Sequence, residues 1–278
     1  MAKKRSEEPI EDTSSTVPAL RDNTIPDYLK DYASMGSVGF ENVKREDMVM
    51  PRLAVAQGLS PQTKKHEGSY IPGLEEGDFF NTVSGEIYGT KVTLTPLFFF
   101  PSRIYFPPRG SNAPELCRAT QLDENGNLHL GKITPKGCHF CPHSNFLDTP
   151  RADGSVSPDC TYFMNYICVI HKQDGLFEPI AFSLKSKMLK PAKLWNSKLR
   201  VKQAPGFVLV TNVETVPEKA PKGTFFNVKF NDVTFAHPTA VKQLEQLFTH
   251  WSNRPIEIDT RDANADEAIE VDEVSDNI

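Results

Sequence analysis

Four of the five cysteines fall between residues 117 and 160, spaced C-x20-C-x2-C-x18-C as Cys117, Cys138, Cys141 and Cys160. The tight pair sits in Gly137-Cys138-His139-Phe140-Cys141-Pro142. Around it the chain is polar and turn-rich, with Asn125-Gly126, Asp153-Gly154 and Pro158-Asp159. Such a segment has too little apolar surface to hold itself. Four thiolates around one Zn2+ would hold it, because zinc takes four soft ligands in a tetrahedron and its binding free energy becomes folding free energy. Structural Zn2+ is therefore an expected cofactor, with Cys117, Cys138, Cys141 and Cys160 as ligands and His139 or His143 able to replace one sulfur. Reduced thiols, or a redox-active CxxC, fit the same spacing.

A second bias lies downstream. Between Pro179 and Val213 there is no acid, while Lys185, Lys187, Lys190, Lys193, Lys198, Arg200 and Lys202 all fall there. Met188, Ala192, Trp195 and Leu199 recur at helical spacing, so they predict a helix that buries one face. Lys190, Lys193 and Arg200 lie on another face. Pro191 falls near the helix start, where its missing N–H does no harm. Cations of one sign repel unless an anion is supplied, and a phosphate backbone is the obvious one. A solvated face, or the chain's own acidic end as the anion, is the plainer explanation. Solvated faces, however, usually mix signs to gain i,i+4 pairs.

Single strands are held by cations along phosphates and by rings stacked on unpaired bases. Rings stand beside cations in Arg103-Ile104-Tyr105-Phe106, with Arg109 beyond, and in Thr224-Phe225-Phe226-Asn227-Val228-Lys229-Phe230. Successive strand residues face opposite ways, so one ring of each adjacent pair is expected in the core and one outside. The candidate DNA contacts are thus Lys185, Lys187, Lys190, Lys193, Lys198, Arg200, Lys202, Arg103, Tyr105, Phe106, Phe225, Phe226 and Lys229.

The charge distribution agrees. The whole chain is at −5, but residues 257–278 hold nine acids against Arg261 alone, which leaves residues 1–256 mildly basic. An acidic tail on a basic body is common among nucleic-acid binders. Such a tail would recruit a partner or compete with DNA for the cationic face. It would equally serve as a solubilising extension. Mean hydropathy is −0.41, and no apolar run reaches the ~18 residues of a membrane helix. The basic start, Met1-Ala2-Lys3-Lys4-Arg5, lacks the apolar stretch of a signal peptide. With the odd cysteine count, this points to a reducing cytoplasm. There is no G-x-x-x-x-G-K-[ST], HExxH, G-x-S-x-G or dinucleotide glycine motif. Four cysteines would close a zinc site to substrate, so a non-enzymatic protein is expected.

Residues 1–24 read as disordered and 257–278 as an acidic disordered tail, on either side of a single β-rich domain over 25–256 with a Cys-rich insertion at about 107–160. Within the domain, Pro26 opens a short helix candidate, and Met48–Gln57 is extended. Hairpins are predicted at Asp78–Val83 with Glu86–Tyr88, at Thr161–His171 with Phe177–Leu184, and at Gly206–Val216 with Thr224–Thr234. Lys91–Phe100 is a strong strand, extended onward through Ser102–Phe106. Pro238 opens an amphipathic helix with Val241, Leu244, Leu247, Phe248 and Trp251. Without a βαβ rhythm, the fold class is α+β: mainly antiparallel β-sheet hairpins, two or three helices and a loop-rich four-cysteine insertion.

Several short motifs resemble a widespread set of bacterial-virus proteins. They are Gly39-Phe40-Glu41-Asn42-Val43, Glu46-Asp47, Pro51-Arg52-Leu53, Gln57, Leu59-Ser60-Pro61, Gly77-Asp78-Phe79-Phe80-Asn81-Thr82 and Ser84-Gly85-Glu86. Cys-x2-Cys-Pro, Lys190-Pro191-Ala192-Lys193 and Lys222-Gly223-Thr224-Phe225-Phe226-Asn227 continue the set. Within it the chain is most similar to the single-stranded-DNA-binding RNA polymerase cofactors (Drc-type) of short-tailed bacteriophages. That resemblance implies preference for single strands, recruitment of the phage RNA polymerase to melted promoters, self-association as a homo-oligomer and a fold unlike the OB barrel. The expected protein is then a phage single-stranded-DNA-binding protein of transcription or replication, working in the cytoplasm of the infected host. The alternative is a virion or host-takeover interaction protein with no nucleic-acid ligand.

Overall fold

Strand β8 (Cys160–His171) decides the architecture, because it is covered on both sides. Its residues Met164, Tyr166, Cys168 and Ile170 enter one core, and Ile167 and Val169 enter another. Side chains of a strand alternate between faces, so an unbroken apolar run such as Phe163–Ile170 needs cover above and below. In this computed structural model the described residues are 38–39, 42–43, 49–107, 115–122, 128–129, 137–150, 156–172, 174–220, 223–252 and 258. The Pro26 helix candidate, Arg109, residues 1–24 and the acids of 257–278 lie outside them. The chain divides into two compact units, Met1–Lys44 and Arg45–Ile278. In the first, a turn is described at Val38–Gly39. The elements below belong to the second.

Six strands form the main sheet. β4 (Lys91–Tyr105), β9 (Phe177–Lys185), β10 (Leu209–Ala220) and β11 (Gly223–Phe235) join β8 in the order β11-β10-β4-β8-β9, and β5 (Cys117–Ala119) pairs with β4. All these pairs are antiparallel. One face carries helix α1 (Leu189–Val201) and a three-stranded sheet of β1 (Leu53–Val55), β2 (Phe79–Asn81) and β3 (Ile87–Gly89). The other carries helix α2 (Pro238–Ser252), whose Leu244 is fully buried and whose Leu247, Phe248 and Trp251 pack beside Leu97, Ile167 and Val169. Ile258, within the stretch read as tail, is buried in this second core. A two-residue hairpin, β6 (Gln121–Leu122) with β7 (Leu128–His129), follows β5. The fold is α+β, mostly antiparallel, with two helices among the described residues and no closed barrel. This matches the class expected from sequence.

The differences have local causes. β4 is one strand of 15 residues through Pro96 and Pro101. A bulge between Pro96 and Phe98 absorbs the first proline, as bulges allow. The β10–β11 ribbon runs on past Pro217, which pairs with Phe226. β4 covers only Thr211–Glu214 of β10, so Pro217 sits where its missing N–H costs no ladder bond. β5, inside the region read as loop, adds a strand to the sheet.

Side chains anchor the small sheet and close the edge of β11. Lys172 Nζ bridges Glu86 at 2.8 Å and Glu178 at 3.1 Å, while Asn81 and Tyr88 both donate to Glu178. Burial, reinforced by Glu178, pushes the Tyr88 phenol far up. On β11, Gln57 donates from Nε2 to the Phe226 carbonyl and accepts the Phe226 N–H on Oε1, both at 2.8 Å. Asn227 Oδ1 accepts the Val228 N–H, and Lys198 Nζ donates to the Phe230 and Asn231 carbonyls. Gly77, at φ +91°, backs the Phe226 ring: a Cβ there would stand 2.6 Å from a ring carbon. Gly77→Ala therefore adds left-handed strain to a clash. It is expected to lower unfolding free energy by about 2–4 kcal/mol, read as a lower urea midpoint at unchanged slope.

Candidate nucleic-acid interface

Helix α1 grows out of a 3-10 turn at Ser186–Met188. Ala192 and Trp195 are wholly buried, and Met188 and Leu199 pack against the same core. Trp195 stacks on Phe230, centroids 4.3 Å apart and planes at 10°, and donates from Nε1 to Thr211 Oγ1. That attachment decides what faces outward. At 100° per residue, Lys193 and Arg200 lie together on one flank of the exposed surface, Leu194 and Val201 lie together about 100° round from them, and Lys190 falls between the two pairs, nearer Val201. All five are exposed, and the three cations make no ion pair with a carboxylate among the described residues. Lys202 follows the helix end, 5.7 Å from the Phe235 ring.

The remaining candidates are engaged elsewhere. Lys185 is buried beside Arg52, Gln57 and Ser183 at a small cavity. Lys187 lies 4.5 Å over Phe225. Lys198 is drawn to the β11 carbonyls and to Asp232. Lys229 is exposed but bonds Glu214 at 2.7 Å, and Lys91 adds a second contact at 3.6 Å. The Lys229 hydrogen bond holds the Glu214 carboxyl low.

Nor do the four candidate rings stand open. Phe225 is buried, and Phe226 packs on Gly77 and the main core. Phe106 meets Phe163 edge-on, and Tyr105 stacks on His143. The expectation of one ring in and one out fails for Phe225 and Phe226: Phe226 packs on the main core, and Phe225, on the alternate face of β11, is buried with Lys187 over its ring. The exposed rings near the cations are Phe99 and Phe235. Phe99 leans on Tyr166, whose hydroxyl donates to Asn196 Oδ1. Asn196 lies three residues after Lys193 and four before Arg200, so Phe99 flanks the cationic side of α1. Its only sequence signal was its place in Phe98-Phe99-Phe100, where period two splits the trio between faces.

Arg103 belongs to another site. Its Nη1 donates to the Ser144 carbonyl at 3.0 Å, and its guanidinium stands 5.4 Å over the Tyr162 ring. Around it lie the four cysteines. Cys117 on β5 and Cys160 on β8 both pair with Tyr105, from opposite sides of β4. Cys138 and Cys141 span a 3-10 turn closed by the Cys141 N–H on the Cys138 carbonyl, and Ser144 Oγ donates to both of their carbonyls. Burial and the neighbouring thiols of Cys141 and Cys117 push Cys160 up to about 12, while Arg103 pulls it down. Burial likewise raises Cys138. All four are free thiols. Among the described residues no three Cys, His, Asp or Glu side chains stand close enough to share one ion, so the sulfurs share a neighbourhood and not yet a coordination sphere.

Compared with known protein families, the chain matches the Pam3 phage gp34-like protein over residues 18–252. It belongs to that family. This Pam3 gp34-like chain is thus a phage protein, and the match spans the small sheet, the cysteine segment, both helices and the main sheet. No curated protein and no solved structure matches it. No helix among the described residues of this Pam3 gp34-like protein is long and apolar enough to cross a membrane.

Proposed function

We propose that this protein grips single-stranded DNA with the exposed side of α1. The observation that carries the reading is the set of four cations Lys190, Lys193, Arg200 and Lys202 around the outer surface and end of one helix, exposed and without carboxylate partners among the described residues. Phosphates supply the charge this set lacks, and Phe99 and Phe235 are the rings placed to stack on bases. Single strands suit such a site better than duplex, because only unpaired bases offer their faces to rings. The resemblance to phage polymerase cofactors supports a role at melted promoters with the phage RNA polymerase, or in replication, inside the host cytoplasm as a homo-oligomer. The acidic tail, outside the described residues, would then recruit that partner or compete with DNA.

Fluorescence anisotropy with a labelled oligonucleotide, single-stranded against duplex, tests this. Four phosphate contacts on a single strand predict a log–log salt slope near −3, so raising salt from about 50 to about 200 mM weakens binding about 50-fold. Phe99→Ala should cost about 1–3 kcal/mol of binding. A flat salt response, or equal affinity for duplex, would overturn the reading.

One observation favours a different class. Leu194 and Val201 are 59% and 78% exposed on the other flank of the same helix. Apolar residues one heptad apart suit a protein partner, as in a virion or host-takeover protein without a nucleic-acid ligand. Partner capture that depends on Leu194 and Val201, with no DNA binding at low salt, would favour it.

A further inference from the structure

We propose that Cys117, Cys138, Cys141 and Cys160 close on one Zn2+, with Arg103 as the positive group that balances it. This goes beyond DNA binding and does not rest on it. The argument begins with register. Arg103 pairs with Ala119 on one side and Tyr162 on the other, and Tyr105 pairs with Cys117 and Cys160. Paired residues of a ladder share a face, and residues two apart on one strand share it too. Two thiols, an arginine and a small apolar floor are therefore brought to one end of the sheet.

The Cys138–Cys141 turn is laid over that end. Cys138 packs with Ala119, Leu128 and the Tyr162 ring, and His143, two residues past Cys141, stacks on Tyr105 at 4.8 Å. Both anchors are set by residues outside the turn, so the CxxC pair is delivered to the neighbourhood of Cys117 and Cys160. The turn is itself tied down. Ser144 holds the carbonyls of Cys138 and Cys141, and Arg103 holds Ser144. His143 Nδ1 lies 2.8 Å from Asp159, the residue before Cys160. A hydrogen-bonded outer layer of this kind commonly orients metal ligands.

Chemistry favours zinc over the alternatives for such a set. Four thiolates with no carboxylate form a soft, closed donor set. Binding replaces four S–H protons by one dication, leaving the site at −2, and the Arg103 guanidinium offsets part of that charge. Zinc would need the four sulfurs to move together from the separate positions they hold here, to the ~2.3 Å that a zinc–thiolate bond requires. The pull of the ion would then fix β5 and β8 to the turn between them.

The test begins with elemental analysis of the full chain purified under reducing conditions without chelator, followed by Co2+ titration of the metal-free chain. One metal per chain, and the visible bands of tetrahedral cobalt thiolate saturating at one equivalent, are expected. Cys141→Ser should abolish the tetrathiolate spectrum, and Cys168→Ala, at the buried fifth cysteine on β8, should leave it. Arg103→Gln should keep the stoichiometry and weaken zinc about tenfold or more, which separates charge balance from a folding defect. If Cys141→Ser does not fold, the wild-type chain still decides. Thiols protected until a chelator is added support the site. Four thiols that react in the folded chain without metal uptake, or a Cys138–Cys141 disulfide, would overturn it.

Discussion

Replacing Lys190, Lys193 and Arg200 together by glutamate is expected to weaken single-stranded-DNA binding about a hundredfold at about 0.1 M salt, roughly 1 kcal/mol per lost phosphate contact. The salt slope should fall by about 2, since each single-strand phosphate contact contributes about 0.7. The three side chains are exposed and carry no ion pair with a carboxylate among the described residues, so stability should change by no more than about 0.5 kcal/mol. Lys242→Glu is the matched control. It reverses one cation, as each of the three substitutions does, but on α2 across the sheet, and should alter affinity only slightly. If the triple variant binds as tightly as the parent with an unchanged slope, α1 is not the DNA-binding face.

The largest stability effect is expected at Trp195. The indole is wholly buried, stacks on Phe230, meets Tyr166 at 4.7 Å and donates to Thr211. Trp195→Ala removes all of these and leaves a cavity between helix and sheet, at about 3–5 kcal/mol. Trp195→Phe keeps a ring but strands the Thr211 hydroxyl, at about 1–3 kcal/mol. Urea unfolding measures both. A domain is stable by about 5–15 kcal/mol, so the alanine variant should stand near its threshold and lose DNA binding only as it unfolds. The charge-reversal variant should do the opposite: lose binding while folded. A small loss for Trp195→Ala would mean that α1 is held chiefly by Met188, Leu199 and the loops at its ends.

Period and propensity made most of this fold legible. The β8–β9 hairpin, the long β10–β11 ribbon, the buried stripe of α1 and the Pro238 helix all follow from local pattern. What stayed hidden was set by long-range pairing. β5 is three residues long and becomes a strand only because β4 offers it a ladder. Phe225 and Lys185 looked like surface residues because nothing near them in sequence announces the Lys187 turn over the ring or the cavity beside Arg52. The motif residues Gln57, Gly77 and Phe226 are distant along the chain and meet in space. Their recurrence in the family resemblance gains a packing reason from that meeting. On the cationic helix, spacing alone separated buried from exposed faces correctly. It could not show that Lys198 turns back onto β11, since that depends on carbonyls 32 and 33 residues away.

The edge of β11 carries a final consequence. Phe226, Val228 and Phe230 turn their side chains into the core and backbone groups toward the open edge of β11, and each has such a group taken by a side chain from the same molecule: Gln57, Asn227 and Lys198. An open row there would template a neighbour's strand. With those groups engaged, this stretch of the rim is a poorer template for a second molecule's strand. If copies line up along DNA as proposed, those meeting at this stretch would touch through side-chain surfaces and not through a shared ladder. Such a contact would come apart without unravelling either subunit, as one joined by continuous strands could not.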